Sequence, residues 1–303
     1  MHYEQLFDEA HRHLAANNVL EGFIPLGKPL TTLFQLHEQA GTTQELIAAS
    51  RVHPLFQLTQ QDPYTERAFQ KPRGYAGDAV MMDYIYKGAP EHGVSDLGAG
   101  IFQVTTRVSM GLSVVYRKAL LNAYINDTVS LHRPFRILSV ASGHCRELVD
   151  TLALNDAFEG EFVALDADPL SCAEVARSYP SQKIIPIHAN IKDLLTGQIE
   201  VGEKFDLIYS AGLFDYLAAP IAKKLIRTLI KKLSPTGRLL VANFVPASYG
   251  RGYMECFMDW QLIYRTTEQL RELFPVDAQS KLALTLDPHT NVAYAVYLNT
   301  NDA

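Results

Sequence analysis

Residues 136–147 read RILSVASGHCRE, and residues 162–168 read FVALDAD. The first stretch predicts a buried strand, a turn of small residues and the start of a helix; the second predicts a strand that ends on an acid. Gly143 lets the backbone approach a ligand closely, and the expected helix presents its N-terminal N–H groups and the positive end of its dipole. Asp166 follows the turn by roughly 20 residues, where a carboxylate accepts hydrogen bonds from ribose. Together these features predict the nucleotide-binding edge of an α/β sheet.

Strands and helices alternate from Arg136 to the C-terminal end. The predicted strands read RILSV, EFVALDA, KIIPIHA, FDLIYSA and GRLLVANF, and AAPIAKKLIRTLIKKL at 218–233 predicts an amphipathic helix that stops at the following Ser-Pro-Thr-Gly. This alternation favours a parallel sheet covered on both faces. The tail KLALTLDPHTNVAYAVYLNT at 281–300 predicts a hairpin around 287–291. The hairpin predicts final strands that are antiparallel on an otherwise parallel sheet.

Residues 1–131 carry mostly helical patterns and are predicted to form a separate N-terminal helical domain, with residues 132–303 forming the nucleotide-binding domain. Apolar residues recur at helical spacing in 2–17 and 33–49. Asp62-Pro63 and Asp78 are predicted helix starts, since both supply an N-cap side chain. In 101–131 the spacing predicts one helical face, made of Val108, Leu112, Val115, Tyr116, Leu120 and Tyr124.

Composition narrows the class of protein. The hydrophobic share of 48% and the charged share of 20% fit a globular protein with a sizeable core. The net charge of −6 gives no general attraction to nucleic acid. Three cysteines without metal spacing predict neither a metal site nor a disulfide framework, and hence a reduced, cytoplasmic setting. The polar N-terminus and the lack of a run of about 18 apolar residues predict no membrane association.

The turn after the first predicted strand does not match two common nucleotide motifs. A dehydrogenase places G-x-G-x-x-G there, whereas this chain has Ala141, Gly143 and Arg146 at those positions. The phosphate-binding motif G-x-x-x-x-G-K-[S/T] is not present in the sequence. A dinucleotide or a nucleoside triphosphate is therefore not the ligand that the residues favour.

The whole array of strands, the terminal hairpin, Asp166 and Asn190 resembles the class I S-adenosylmethionine-dependent methyltransferases over roughly 134–299. The resemblance implies a Rossmann-like sheet that binds S-adenosyl-L-methionine. It places the methionine part over the glycine turn, the ribose on Asp166, adenine near Asn190 and the transferred carbon near the loop at 210–216. The implied cofactor-binding residues are Ser139, Ala141, Gly143, Asp166, Ala167, Asn190, Ile191, Ser210, Ala211 and Asp215. Asp215 has the alternative interpretation of a helix N-cap.

A narrower resemblance covers most of the chain. HPLF at 53–56, DPYTERAFQKPRGYAGDAVMMDYIY at 62–86, VASGHCRE at 140–147 and MDWQLIYRT at 258–266 are similar to a bacterial subgroup. The subgroup includes methyltransferase-like proteins linked to 3-hydroxypalmitate methyl ester and relatives that cyclise S-adenosylmethionine to azetidine-2-carboxylate. The shared segments do not separate these two activities.

Aromatic and basic residues supply the remaining candidates. A sulfonium is a cation, and an aromatic face stabilises a cation by about 0.5–2 kcal/mol. Tyr75, in a glycine-rich turn, and Tyr216, after the fourth strand, are the predicted catalytic residues; core packing is the alternative for both. Arg73 is predicted to reach the cofactor carboxylate from a lid, the alternative being a surface ion pair. The predicted helix at 254–265 either lines an acceptor pocket or packs on the N-terminal helices.

Two reactions remain open at this point. Many class I methyltransferases carry an acid at the position of Ser139, which holds the α-ammonium of the cofactor. A serine raises the amine pKa less than a carboxylate does, and a neutral amine is what cyclisation needs. Glu147 or an acid from the N-terminal part can compensate. The leading prediction is methyl transfer to the carboxylate of a small or fatty hydroxy acid, which is already ionised and needs no strong base. Cyclisation of S-adenosylmethionine with release of methylthioadenosine is the alternative, and a cofactor-binding sensor is the third hypothesis.

Overall fold

The computed structural model describes residues 2–90, 93–132 and 134–300. The chain forms two compact units, the first from residues 1–115 and 247–261 and the second from residues 116–246 and 262–303. The second unit begins inside a long helix at 109–131 and excludes an inserted segment at 247–261. The boundary expected between residues 131 and 132 falls at the end of that helix, and the assignment of two domains to these ranges stays a prediction.

The elements are numbered in chain order. The helices are α1 Tyr3–Ala15, α2 Val19–Phe23, α3 Lys28–Ala40, α4 Thr43–Val52, α5 Leu55–Thr59, α6 Pro63–Gln70, α7 Ala79–Lys87, α8 Asp96–Thr105, α9 Ser109–Leu131, α10 Pro169–Ser178, α11 Ile191–Thr196, α12 Ala219–Lys231, α13 Arg251–Phe257 and α14 Thr267–Arg271. The strands are β1 Phe135–Val140, β2 Gly160–Asp166, β3 Ile184–His188, β4 Phe205–Ser210, β5 Leu233–Phe244, β6 Leu282–Leu286 and β7 Val292–Leu298.

The first unit is helical, as its sequence pattern predicts. Asp62 accepts hydrogen bonds from the backbone N–H groups of Tyr64 and Thr65 at the start of α6, and Asp78 caps α7 in the same way. Both predicted helix starts are confirmed. The helical pattern predicted at 33–49 is two helices, because Gly41 adopts φ +72° and ends α3.

The second unit is built on a seven-stranded sheet in the order β3-β2-β1-β4-β5-β7-β6. β1 to β5 are parallel, and β7 runs antiparallel to both β5 and β6. The predicted α/β fold class, a Rossmann-like sheet with an antiparallel C-terminal hairpin, is confirmed. Since β6 runs antiparallel to β7, β7 alone opposes the direction of the other six strands.

The predicted end of the helix before β5 is wrong in its detail. α12 ends at Lys231, and the Ser-Pro-Thr-Gly sequence lies inside β5 instead of following the helix as a turn. The register with β4 shifts there, from Phe205 opposite Leu233 to Leu207 opposite Arg238. A bulge of this kind accommodates a proline that donates no ladder hydrogen bond.

The buried face of α9 also differs from the prediction. Leu112 and Val115 are 41% and 42% exposed, whereas Val114, Arg117 and Leu121 are buried. The helix is apolar on more than one side, so the apolar residues alone gave the wrong face. Its buried stripe includes the polar residues Ser113, Arg117 and Thr128.

The predicted helix at 254–265 is shorter and begins earlier. α13 ends at Phe257, and Asp259 has φ +46°, which is incompatible with a continuing helix. Trp260, Tyr264 and Arg265 therefore lie on irregular backbone.

Candidate functional site

The carboxyl ends of the parallel strands meet at one edge of the sheet. β1, β2, β3 and β4 end at Val140, Asp166, His188 and Ser210. The connection after β1 leads toward β2, and the connection after β4 leads toward β5, so the chain leaves these two neighbouring strands in opposite directions. Such a switch point is where open α/β sheets bind their ligands. The predicted cofactor-binding residues of the second unit follow or end these four strands, apart from Ser139 inside β1.

The turn after β1 has an unusual backbone. Ala141, Gly143 and Cys145 have φ values of +55°, +56° and +50°, so three alternate residues are in the left-handed region. This region costs about 1–2 kcal/mol for a residue with a side chain. Ala141 and Cys145 are thus strained residues at positions that suit glycine.

The helix predicted after this turn is wrong. Two 3-10 turns, Arg146–Leu148 and Leu152–Leu154, occupy the connection to β2. Positive φ values at Cys145 and Asp150 leave room for one short turn between them. The N-terminal helix dipole expected beside the ligand is therefore not supplied by this connection.

Asp166 is fixed at the end of β2 by the backbone. Its Oδ2 accepts the N–H of Gly143 at 2.7 Å, and its Oδ1 accepts the N–H of Asp168 at 2.8 Å. Burial raises the pKa of this carboxyl, and the two N–H donors partly offset the rise. A carboxylate has about four acceptor positions, so the two backbone contacts leave the carboxylate chemically able to accept ribose hydroxyls.

The residues after β2 and β3 lie at the same edge. Ala167 is exposed, and its carbonyl oxygen lies 3.2 Å from Nε2 of His188. Asn190 is the N-cap of α11: its Oδ1 accepts the N–H groups of Lys192 and Asp193. Capping occupies Oδ1, and the Nδ2 group of Asn190 carries the two donors that suit an adenine nitrogen. Ile191 is half-buried at the first position of α11.

The loop after β4 is held by several contacts. Ser210 is fully buried and donates to the carbonyl of Val140 at 2.9 Å, which joins the ends of β4 and β1. Ala211 is half-buried. A 3-10 turn at Leu213–Tyr216 follows, in which Tyr216 is 39% exposed. Phe214 in the same turn is fully buried and packs in the core.

Asp215 braces this loop and does not cap a helix. Its Oδ1 accepts the N–H of Phe244 at the end of β5, and its carbonyl accepts the N–H of Ile263, both at 2.7 Å. The N-cap alternative is wrong, because α12 begins after Ala218. Burial raises the pKa of Asp215 to about 7, although the charges of Arg117 and Arg265 oppose the rise.

Ser139 belongs to a buried polar group. It lies opposite Tyr209 in the β1–β4 register and shares a side-chain hydrogen bond with it. The Tyr209 hydroxyl donates to Oε1 of Glu147 at 2.6 Å. Burial raises the pKa of both Glu147 and Tyr209. The Tyr209 hydroxyl thus connects the carboxyl group of Glu147 to Ser139 through two hydrogen bonds.

The sequence pattern did not predict a role for Arg117. This residue of α9 is 7% exposed, and its Nη1 donates to the carbonyl of Ala211. The signal was present in the sequence, because Arg117 follows Val114 by three residues and precedes Leu121 by four, on one helical stripe. A helical face that is defined by its apolar residues alone leaves out a charged residue in that stripe.

Arg73 and Tyr75 lie in the first unit, between α6 and α7. Both are half-buried, and Gly74 between them has φ +88°. The structure brings these two residues together in one turn. Their predicted contacts with the cofactor stay predictions.

Within 2–90, 93–132 and 134–300, no three or more His, Cys, Asp or Glu side chains are grouped in a way that fits a metal ion. The helices within those ranges include none with the length and apolar character of a bilayer span.

Comparisons with known proteins bear on the fold. No family model matches the chain, and no curated protein matches it. A possible exported protein from Bordetella parapertussis has a similar structure, with a TM-score of 0.59, 16% identity, and coverage of 74% of this chain and 80% of that chain. A putative O-methyltransferase from Nostoc punctiforme has a TM-score of 0.47 and 13% identity, with coverage of 80% of this chain and 70% of the other.

A third similar structure is the N-methyltransferase NodS from Bradyrhizobium japonicum in complex with S-adenosylhomocysteine. Its TM-score is 0.43 at 13% identity, with coverage of 73% of this chain and 98% of that chain. At such low identity these similarities concern the fold alone. The sheet order itself is that of a Rossmann-like architecture.

Proposed function

We propose that the chain is an enzyme that binds S-adenosyl-L-methionine at the carboxyl ends of β1, β2 and β4 and transfers its methyl group to a carboxylate of a small or fatty hydroxy acid. The observation that carries the proposal is the contact of Asp166 with Gly143. It fixes a carboxylate beside a turn in which three residues have left-handed backbone. The carboxylate suits the two hydroxyl groups of a ribose, and the turn of small residues suits the methionine part of the ligand, which would lie close to the backbone.

The residues of this edge fit the parts of the cofactor. Asp166 is a ribose acceptor, Asn190 presents amide donors toward an adenine position, and Ala141 and Gly143 keep the turn free of large side chains. Ser210 and Asp215 hold the loop that carries Ala211 and Tyr216. When bound, the cofactor supplies an activated sulfonium methyl group.

In the proposed reaction an acceptor oxygen forms a bond to the methyl carbon as the carbon–sulfur bond breaks, and the sulfur keeps the bonding electron pair. The products are a methyl ester and S-adenosylhomocysteine. A carboxylate acceptor is already ionised at neutral pH, so the protein mainly positions the reactants. The aromatic face of Tyr216 is the proposed partner of the sulfonium charge. Tyr75 remains the other predicted aromatic contact.

Cyclisation of the cofactor to azetidine-2-carboxylate is the second candidate. It drew support from the uncharged Ser139, which leaves the α-amine easier to deprotonate. In the structure, the Tyr209 hydroxyl forms hydrogen bonds with both Ser139 and the carboxyl group of Glu147. A carboxyl group so close weakens that support, and methyl transfer remains the function that we propose.

Product analysis separates the hypotheses. Purified protein is incubated with S-adenosylmethionine, alone and with 3-hydroxy fatty acids of several chain lengths, and the nucleoside products are identified by mass spectrometry. We expect S-adenosylhomocysteine and a methyl ester when an acceptor is present. Methylthioadenosine formed without an acceptor contradicts methyl transfer and supports the cyclase. Saturable binding without either product supports the sensor, and no binding contradicts all three hypotheses.

A further inference from the structure

A buried arginine contacts the switch point of the sheet. Arg117 lies on α9 and is 7% exposed, and its Nη1 donates to the carbonyl of Ala211, the first residue after β4. β4 is the neighbour of β1, and the chain leaves the two strands in opposite directions. The guanidinium therefore lies at the carboxyl ends of the strands, where open α/β sheets bind their ligands.

Two acids share the surroundings of this arginine. Glu147 follows β1 and Asp215 follows β4, and both are buried. Burial raises the pKa of each carboxyl, that of Asp215 to about 7, and the charge of Arg117 partly offsets the rise in both. One cation thus interacts electrostatically with two carboxyl groups that follow different strands.

This arrangement suits a zwitterion better than a simple anion. A guanidinium binds a carboxylate through paired N–H groups and keeps its charge at any physiological pH. A fatty carboxylate beside Arg117 would also be close to Glu147 and Asp215, which repel an anion in their ionised forms. An α-amino acid group brings an ammonium with its carboxylate, so the acids become favourable neighbours.

We propose that Arg117 binds the α-carboxylate of the methionine end of S-adenosylmethionine. The inference rests on the proposed function, since it assigns one residue within that cofactor site. Arg73, which the glycine-rich turn around it predicts as the partner of the same carboxylate, lies in the other unit. The two arginines are therefore alternatives that a binding experiment distinguishes.

The test compares ligands with and without the carboxylate. Calorimetry measures the binding of S-adenosylhomocysteine, which carries the α-carboxylate, and of decarboxylated S-adenosylmethionine, which keeps the amine but lacks the carboxylate. Arg117→Gln is expected to weaken S-adenosylhomocysteine by about 10- to 100-fold, the size of a charge-assisted hydrogen bond. The affinity for the decarboxylated ligand should change by less than about threefold, because this ligand has no carboxylate to lose and only indirect effects of the substitution remain. Arg117→Lys keeps the positive charge but lacks the paired N–H donors of a guanidinium. It is expected to lose less affinity for S-adenosylhomocysteine than Arg117→Gln.

Arg238→Gln is the matched control. Arg238 also links α9 to the sheet, through Thr128 at 3.1 Å and Asp127 at 2.7 Å, but it lies near the middle of β5, away from the strand ends. Its substitution should leave both affinities unchanged. Thermal unfolding of each variant reports whether the fold is intact.

Three results overturn the assignment. Equal loss for both ligands means that Arg117 only holds the loop at Ala211. If Arg117→Gln binds both ligands as tightly as wild type but has a raised KM for a carboxylic acid acceptor, the guanidinium binds the acceptor instead of the cofactor. A selective loss in Arg73→Gln but not in Arg117→Gln assigns the carboxylate to Arg73. Wild-type protein that binds neither ligand contradicts the proposed function itself, which is a different failure.

Discussion

The backbone N–H of Gly143 donates to Oδ2 of Asp166 at 2.7 Å, and this contact ties the turn after β1 to the end of β2. The two residues are 23 positions apart in the chain. One carboxylate thus shapes the turn and, in the proposed function, also receives the ribose. Substitutions at Asp166 should for that reason affect both binding and stability.

Asp166→Ala is expected to weaken S-adenosylhomocysteine binding by about 1.5–3 kcal/mol, because a charged hydrogen-bond acceptor is lost. Calorimetry measures the affinity. Asp206→Asn is a suitable control, since Asp206 also accepts a backbone N–H, that of Arg136 at 2.9 Å, but near the start of β1 and β4. Unchanged affinity in Asp166→Ala would show that the ribose is bound elsewhere.

Replacing Asp215 should flatten the dependence of stability on pH. An unfolded aspartate has a pKa of about 3.9, and the folded pKa is about 7. Between these values the folded state keeps a proton that the unfolded chain has lost, so the Asp215 contribution falls as the pH rises from about 4 to about 7. Asp215→Asn removes this fall, which is at most about 1.4 kcal/mol per pH unit.

Urea unfolding of wild type and Asp215→Asn at several pH values measures this difference. Asp62, whose pKa burial raises to about 6, titrates in both proteins and cancels in the comparison. Parallel curves for the two proteins from pH 4 to pH 7 would contradict a raised pKa at Asp215.

Ala141 and Gly143, two left-handed positions of the turn, predict opposite effects of exchanging alanine and glycine. Ala141→Gly should leave stability unchanged or raise it by up to about 1 kcal/mol, since it relieves a left-handed alanine at a cost in unfolded-state entropy. Gly143→Ala should lower stability by about 1–2 kcal/mol and weaken cofactor binding. Thermal unfolding and calorimetry measure the pair, and a destabilised Ala141→Gly is the outcome that disagrees.

Tyr209 and Glu147 should be energetically coupled. Tyr209→Phe leaves Oε1 of Glu147 buried without its phenol donor, at a cost of about 1–3 kcal/mol. Combined with Glu147→Gln, the double variant should lose less stability than the sum of the single variants. Denaturant unfolding of all four proteins gives the coupling, and strict additivity would show that the hydrogen bond contributes little.

Tyr216→Leu should alter the preference for a charged sulfur. If the ring faces the sulfonium, the affinity for S-adenosylmethionine falls by about 0.5–2 kcal/mol more than the affinity for S-adenosylhomocysteine, whose sulfur is neutral. Tyr75→Leu tests the other predicted aromatic contact in the same way. A ratio of affinities equal to that of wild type assigns the tyrosine to packing.

Short-range patterns account for what the sequence predicted well. Asp62 and Asp78 are helix caps because an aspartate side chain reaches the N–H groups two and three residues ahead. The strand alternation and the terminal hairpin set the sheet, and Asp166 falls at the end of β2 as predicted. These features depend on residues that are neighbours in the chain.

Only the tertiary structure decided the surroundings of the site. The helix predicted after Gly143 is replaced by 3-10 turns, and Glu147 bonds to Tyr209, 62 positions further along the chain. Arg117 reaches Ala211 across 94 positions because α9 buries a stripe that includes charged and polar residues. Local sequence determined which elements form, since propensity, capping and periodicity act over a few residues. The partners of buried charges were decided by the fold, because burial and long-range hydrogen bonding depend on which distant segments the packed sheet brings together.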